Sequence, residues 1–292
     1  MKKLILLAAT ALLASPAWSN TLIDNVNGIQ VGPDGRLQHF RALTIGDDGK
    51  VRQLLEHPEL VRLAGITQTI DGGGRTLLPG LIDAHGHVLT LGQMALQLDL
   101  TGTSSLDDLK QRLRAYAAAH PDARWIVGRG WNQELWPVKA FPTAADLDSV
   151  VGDRPVVLER VDGHALVVNT SAMAAAGVTA STPAPAGGRI ENGLFVDAAT
   201  ELITKAVPAP TPAELDQALA KAQEILLGYG ITGVGSMSTT LADWQAMRRA
   251  GEAGRLNVRM LGYADELKLL GEVPRPTPWL YGDRLRMVGI KY

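Results

Sequence analysis

Two histidines separated by one glycine, His85 and His87, end the apolar run Thr76-Leu77-Leu78-Pro79-Gly80-Leu81-Ile82-Asp83-Ala84. Imidazole is the commonest metal ligand among side chains. In extended backbone residues i and i+2 share a face, so the two rings can converge on one cation, and Gly86 places no side chain between them. A His-x-His pair alone is a weak signal, satisfied equally well by solvent and ordinary hydrogen bonds. Its context strengthens it, because the run before it has the length of a buried strand and Pro79-Gly80 punctuates its start. Catalytic zinc sites usually take three protein ligands and leave one position open, so two histidines are not a complete set.

A second cluster of chemistry-bearing residues is Val161-Asp162-Gly163-His164, directly after the strand expected over residues 155–159. His164 is the candidate substrate-binding or electrophilic residue, with Asp162 available to orient its imidazole. The same tetrapeptide also reads as a local Asp-Gly turn. Trp131 and Trp136 lie in an aromatic loop after the apolar stretch 125–128, where they either line a substrate mouth or pack a core. Asp83 is expected to support the backbone of the histidine loop.

The elements that must position these residues follow from patterning. Residues 20–75 carry short apolar stretches separated by Asn27-Gly28, Asp34-Gly35 and Asp48-Gly49, which are hairpin signals, and end at Asp71-Gly72-Gly73-Gly74. Ser105-Leu106-Asp107-Asp108 begins a helix with Leu106, Leu109, Leu113 and Tyr116 at helical spacing. Thr211-Pro212-Ala213-Glu214 begins another, stopped by Gly228 and Gly230. Strands are expected over 77–84, 125–128, 231–237, 258–261 and 285–291, with a helix over 244–250. Strands alternating with helices point to an α/β protein with a parallel sheet. The alternation lapses over about 132–210, which reads as an inserted subdomain with one internal strand.

Several motifs in order, Arg129-Gly130-Trp131-Asn132, Phe141-Pro142-Thr143-Ala144-Ala145-Asp146-Leu147-Asp148, Val161-Asp162-Gly163-His164 and Gly289-Ile290-Lys291, join the His85/His87 string in resembling the amidohydrolase superfamily, in its family 3 branch. The resemblance implies a small N-terminal β-sandwich over 20–75 and a partial (β/α) TIM-like barrel over 76–292, the insertion covering its mouth. It implies a divalent metal, zinc for preference, as one or two ions. His85 and His87 would bind it, and Lys291, once carboxylated by CO₂, would be a further ligand. An uncarboxylated lysine is a cation without an acceptor and would repel the metal. Zinc lowers the pKa of its water to about 7 and polarises a carbonyl. The implied reaction is hydrolysis of a carbon–nitrogen bond other than a peptide bond, in an amide or formamide.

About five of eight barrel strands are expected, and the family's later histidines and its aspartate proton shuttle have no counterpart before Tyr292. The chain therefore reads as an N-terminal fragment of a longer hydrolase, with no catalytic residue assigned. The competing reading is a non-enzymatic periplasmic metal- or ligand-binding remnant. A net charge of −2 gives no reason to expect a nucleic-acid partner, leaving a small-molecule substrate. Lys2-Lys3, the apolar stretch 4–13 and Ala17-Trp18-Ser19 have the form of a signal peptide cleaved after Ser19, which predicts a periplasmic or secreted protein with no membrane association after cleavage. With no cysteine, neither disulfides nor thiolate ligands are available.

Overall fold

The computed structural model describes residues 20–60, 65–179 and 181–291, so the expected signal peptide over 1–19 lies outside the described residues. The chain divides into two units, Met1–Gly80 and Leu81–Tyr292.

In the first unit, strands β1 (Asn20–Asp24), β2 (Asn27–Val31), β3 (Leu37–Phe40), β4 (Ala42–Ile45), β5 (Val51–Leu55), β6 (Ile66–Asp71) and β7 (Thr76–Leu77) form two small sheets, ordered β5-β4-β1-β6 and β3-β2-β7. Two of the three expected turn dipeptides do what their chemistry predicts, with Gly35 and Gly49 at positive φ between antiparallel partners, whereas Asn27-Gly28 opens β2, its residues paired in the ladder with Thr76, Leu77 and Phe40. One apolar cluster draws on both sheets: Val26, Phe40 and Leu43 are buried, with Ile23, Ile45, Leu54 and Leu77 against them.

The second unit runs β8 (Leu81–Gly86), α1 (Val88–Leu96), β9 (Leu98–Asp99), α2 (Leu106–Ala119), β10 (Ile126–Trp131), α3 (Ala144–Asp148), β11 (Val156–Arg160), β12 (Ala165–Val168), α4 (Thr170–Ala175), β13 (Gly188–Glu191), β14 (Leu194–Asp197) and α5 (Thr200–Thr204). It continues through α6 (Pro212–Gly228), β15 (Ile231–Thr239), α7 (Leu241–Glu252), β16 (Arg259–Ala264), α8 (Leu267–Glu272) and β17 (Leu285–Ile290). Two sheets result. One is four-stranded and wholly parallel, ordered β17-β16-β15-β8; the other is six-stranded and mixed, ordered β13-β14-β12-β11-β10-β9.

This membership corrects the expected strand count. The stretch expected over 125–128 as a barrel strand beside the histidine strand is β10, and it pairs with β9 and β11. The neighbour of β8 is instead β15. Among the described residues the histidine sheet has four strands, against the five expected of an incomplete barrel, and it is open. The apolar run entering His85 is correspondingly less buried than its composition implies: Leu81 and Ile82 are 57% and 75% exposed, because β8 is an edge strand with one partner.

The six-stranded sheet reaches back to Leu98 and holds more than the single internal strand expected after residue 132. Strands β11, β12 and β14 contribute apolar residues to a cluster on each face. Val156, Leu158, Ala165, Val167 and Leu194 face one cluster with α2 and α3, while Val157, Leu166, Val168 and Phe195 face another with α4 and α5. Near-continuous apolar runs are what double-sided burial selects. The hairpin β13–β14 turns at Asn192-Gly193, both at positive φ, with Glu191 opposite Leu194. That is a two-residue turn of the kind Asn-Gly favours, a signal present in the sequence and passed over there.

Two devices hold these layers. The crossover from β8 to β15 is made by α1 and α6 in close contact, where a Cβ at Gly92 would overlap the Ala218 carbonyl of α6. Asn169, fully buried, caps α4 and satisfies all its valences: its Oδ1 accepts from the backbone N–H groups of Val156 (2.9 Å) and Ala172 (3.0 Å), and its Nδ2 donates to the carbonyls of Val151 and Arg154 (2.8 Å each). Asn169→Ala leaves four backbone groups, three of them buried and one partly so, without that partner and is expected to cost about 3 kcal/mol, read from urea midpoints at constant m-value. Gly92→Ala is expected to cost about 2 kcal/mol or more by overpacking the α1–α6 contact.

Candidate metal centre

All four strands of the histidine sheet are parallel, so their carboxyl ends lie along one edge, which is where loops in such sheets carry chemistry. His85 is near the end of β8, His87 follows it, and Lys291 follows β17. β8 and β17 are the two outer strands, three interstrand steps apart, roughly 14 Å in a flat sheet. Even so, the Lys291 Nζ lies 3.1 Å from the His85 Nε2. The two side chains lean toward each other over the sheet's carboxyl edge, and the rings of His85 and His87 are tilted with centroids 5.6 Å apart. The sequence-derived trio is thus brought to one place, with both histidines exposed.

Local chemistry holds the trio. Asp83 Oδ1 accepts the backbone N–H of His85 at 3.0 Å, the support expected of it. His87 takes the N-cap position of α1, its carbonyl accepting from the Leu91 N–H at 2.9 Å, yet its side chain makes no capping bond. The ring is left to other uses. Gly86 pairs with Ser236 of β15, and a Cβ there would stand 3.0 Å from Val234 Cγ2 and 3.3 Å from Asp83 Oδ2, so glycine keeps the histidine turn against its neighbour. Lys291 is anchored by its own N–H to the Ala264 carbonyl of β16 at 2.9 Å.

Whether these residues suit a divalent metal is a question of donors. Two imidazoles supply nitrogen lone pairs of the type such ions take. Among the described residues no group of three or more His, Cys, Asp or Glu side chains gathers to hold an ion, so any third ligand from this trio is Lys291. As an ammonium it donates to His85 Nε2 and occupies the lone pair a metal would use. As a carboxylated lysine it would present anionic oxygen at the same point. The trio fits a metal in that second form.

The other candidates lie apart. Trp131 is fully buried among Leu100, Leu158 and Trp136, and its indole N–H donates to the Leu158 carbonyl at 2.9 Å, so it is a core residue of the six-stranded sheet and lines no substrate mouth. Trp136 is buried likewise, donating to the Thr103 carbonyl. Asp162 does not orient the His164 ring. Its Oδ1 accepts the His164 backbone N–H at 3.1 Å and its Oδ2 pairs with the Arg160 guanidinium, so it builds the turn, while the ring Nδ1 of His164 meets Asp197 Oδ1 at 2.9 Å. Asp197 was missed because it lies 33 residues away, at the end of a strand whose pairing with β12 is invisible locally.

Parallel strands gathering two histidines and a lysine at their carboxyl edge define an α/β protein with a candidate metal centre. More particularly, the chain belongs to the amidohydrolase family, whose model matches residues 68–290. It is 35% identical over 196 residues to YtcJ of Bacillus subtilis (strain 168), covering 64% of this chain and 37% of that protein. It is 28% identical over 203 residues to the N-substituted formamide deformylase of Arthrobacter pascens, covering 65% of this chain and 37% of the relative. An uncharacterized metal-dependent hydrolase from Pyrococcus furiosus superposes with a TM-score of 0.73 at 26% identity, over 93% of this chain and 55% of the other. The chain thus spans between about a third and a little over half of the length of these relatives.

Trp131→Phe replaces the indole with a smaller aromatic ring and loses the bond to the Leu158 carbonyl. It is expected to lower stability by about 1 to 2 kcal/mol in urea and to leave metal uptake at the histidines unchanged.

Proposed function

We propose that the whole protein is a metal-dependent hydrolase of carbon–nitrogen bonds other than peptide bonds, in amides or formamides, exported to the periplasm or beyond by its first 19 residues. The observation that carries the reading is the approach of Lys291 Nζ to His85 Nε2, which places a lysine from one outer strand at a histidine from the other. Family membership and the formamide-cleaving relative support the bond type.

When bound, a divalent cation, zinc for preference, supplies Lewis acidity toward a carbonyl and lowers the pKa of water to about 7. His85 and His87 would hold it through ring nitrogens, and carboxylated Lys291 through oxygen. Carboxylation, in which the neutral Lys291 amine bonds to CO₂ and releases a proton to solvent, would replace the ammonium at His85 Nε2 with an anionic oxygen ligand. Asp83 holds the His85 backbone in place while this exchange occurs. On this reading His164 contacts the small-molecule substrate, and Asp162 shapes its turn.

A second reading, metal binding without turnover, is favoured by the absence of a third His, Cys, Asp or Glu at the pair among the described residues. Zinc titration with and without bicarbonate separates the two when followed by a hydrolysis screen on N-substituted formamides and N-acyl amides. One or two ions per chain are expected, with affinity raised by bicarbonate. His85→Ala or His87→Ala should weaken binding by about tenfold or more, and Lys291→Ala should abolish the bicarbonate response. Uptake without hydrolysis of any of these compounds would favour the second reading; absence of uptake would sink both.

A further inference from the structure

We infer that Asp197 is the positioning residue of His164: it holds the imidazole in the Nδ1–H form and presents Nε2 as a hydrogen-bond acceptor, so that His164 and Asp197 form a dyad facing solvent. Three bonds fix His164. Its backbone N–H donates to Asp162 Oδ1 at 3.1 Å, its carbonyl accepts from the Asp197 N–H at 2.8 Å, and its ring Nδ1 lies 2.9 Å from Asp197 Oδ1. One residue therefore clasps both the backbone and the ring.

The fold prepares Asp197 for this. β14 runs antiparallel to β12 with Val196 opposite Ala165, which puts Asp197 level with His164 as the strands part. Asp197 adopts φ 49°, a left-handed conformation that Asp tolerates better than most residues. The Thr200 hydroxyl donates to its carbonyl at 2.7 Å. Asp162 is unavailable to the ring because both its oxygens are used, one by the His164 N–H and one by Arg160. Arg160 in turn donates through Nε to Gln133 Oε1 at 2.9 Å, so it is held as well.

The dyad's side chains are 74% and 53% exposed. A bond so exposed adds little to stability. Its effect is selection: a carboxylate accepts only, so it favours the tautomer with hydrogen on Nδ1, and the lone pair is left on Nε2. Among the described residues nothing bonds Nε2. The chemistry that would meet it is a polarised N–H or O–H donor, such as the N–H of a secondary amide or formamide. This last step rests on the hydrolase reading above, whereas the tautomer does not.

The test is a long-range ¹H–¹⁵N correlation spectrum of the ¹⁵N-labelled full chain, at a pH where His164 is neutral, with His164→Gln for assignment. Wild type should show His164 protonated on Nδ1. Asp197→Asn, which tolerates the same backbone and whose amide serves either tautomer, and Asp197→Gly, which removes the partner, should both give a mixture or the reversed form. Asp162→Asn should leave the tautomer as in wild type. A wild-type Nε2–H form, or an unchanged pattern in both Asp197 variants with native circular dichroism, would overturn the assignment. If formamide hydrolysis is found, Asp197→Asn should lower kcat/KM by about tenfold or more while Asp162→Asn retains the wild-type tautomer; absence of hydrolysis counts against the hydrolase reading and leaves the tautomer result standing.

Discussion

The parallel pairing of β8 with β15 is the constraint on which the candidate centre depends. A parallel pair cannot be closed by a hairpin; the chain must leave the carboxyl end of one strand and return to the amino end of the next. Here it leaves after Gly86 and returns at Ile231, and the return is secured by α1 against α6 at Gly92. Once β15, β16 and β17 add in the same direction, their carboxyl ends fall on the side where His85 and His87 stand. Lys291 arrives there because it follows the last of them.

Everything between α1 and α6 can be large because that crossover is anchored by helices of its own. The six-stranded sheet has separate apolar clusters on its two faces and its own polar pins, Asn169 foremost. Gln223 plays a similar part in the parallel layer, where its Oε1 accepts from the Asn257 N–H and its Nε2 donates to the Arg255 carbonyl, tying α6 to the segment that enters β16. Buried side chains bonded in this way specify register as well as adding stability.

Two histidines in this chain meet two different partners. His85 has a cation at its Nε2, so its use as a ligand requires that cation to be displaced or converted. His164 has a carboxylate at its Nδ1 and an open Nε2, the arrangement of an acceptor.

The local chemistry was legible in the sequence. The His85/His87 pair with period-2 geometry, the helix starts at Ser105 and Thr211, the Asp-Gly turns and the family's motifs are all short-range features, set by backbone sterics and side-chain donors within a few residues. Which strand lies beside which was not. Residues 126–131 and 231–239 are equally good strands by pattern, and only burial against α6 and α7 on one hand, or α2 and α3 on the other, assigns them to different sheets. For the same reason Trp131 was read as a possible lining residue and proved a core residue, and Asp162 was read as the partner of a ring that Asp197 holds. Residue types and spacings are local quantities; sheet order, burial and the carboxylate that meets an imidazole from 33 positions away are decided by packing, which only the folded chain settles.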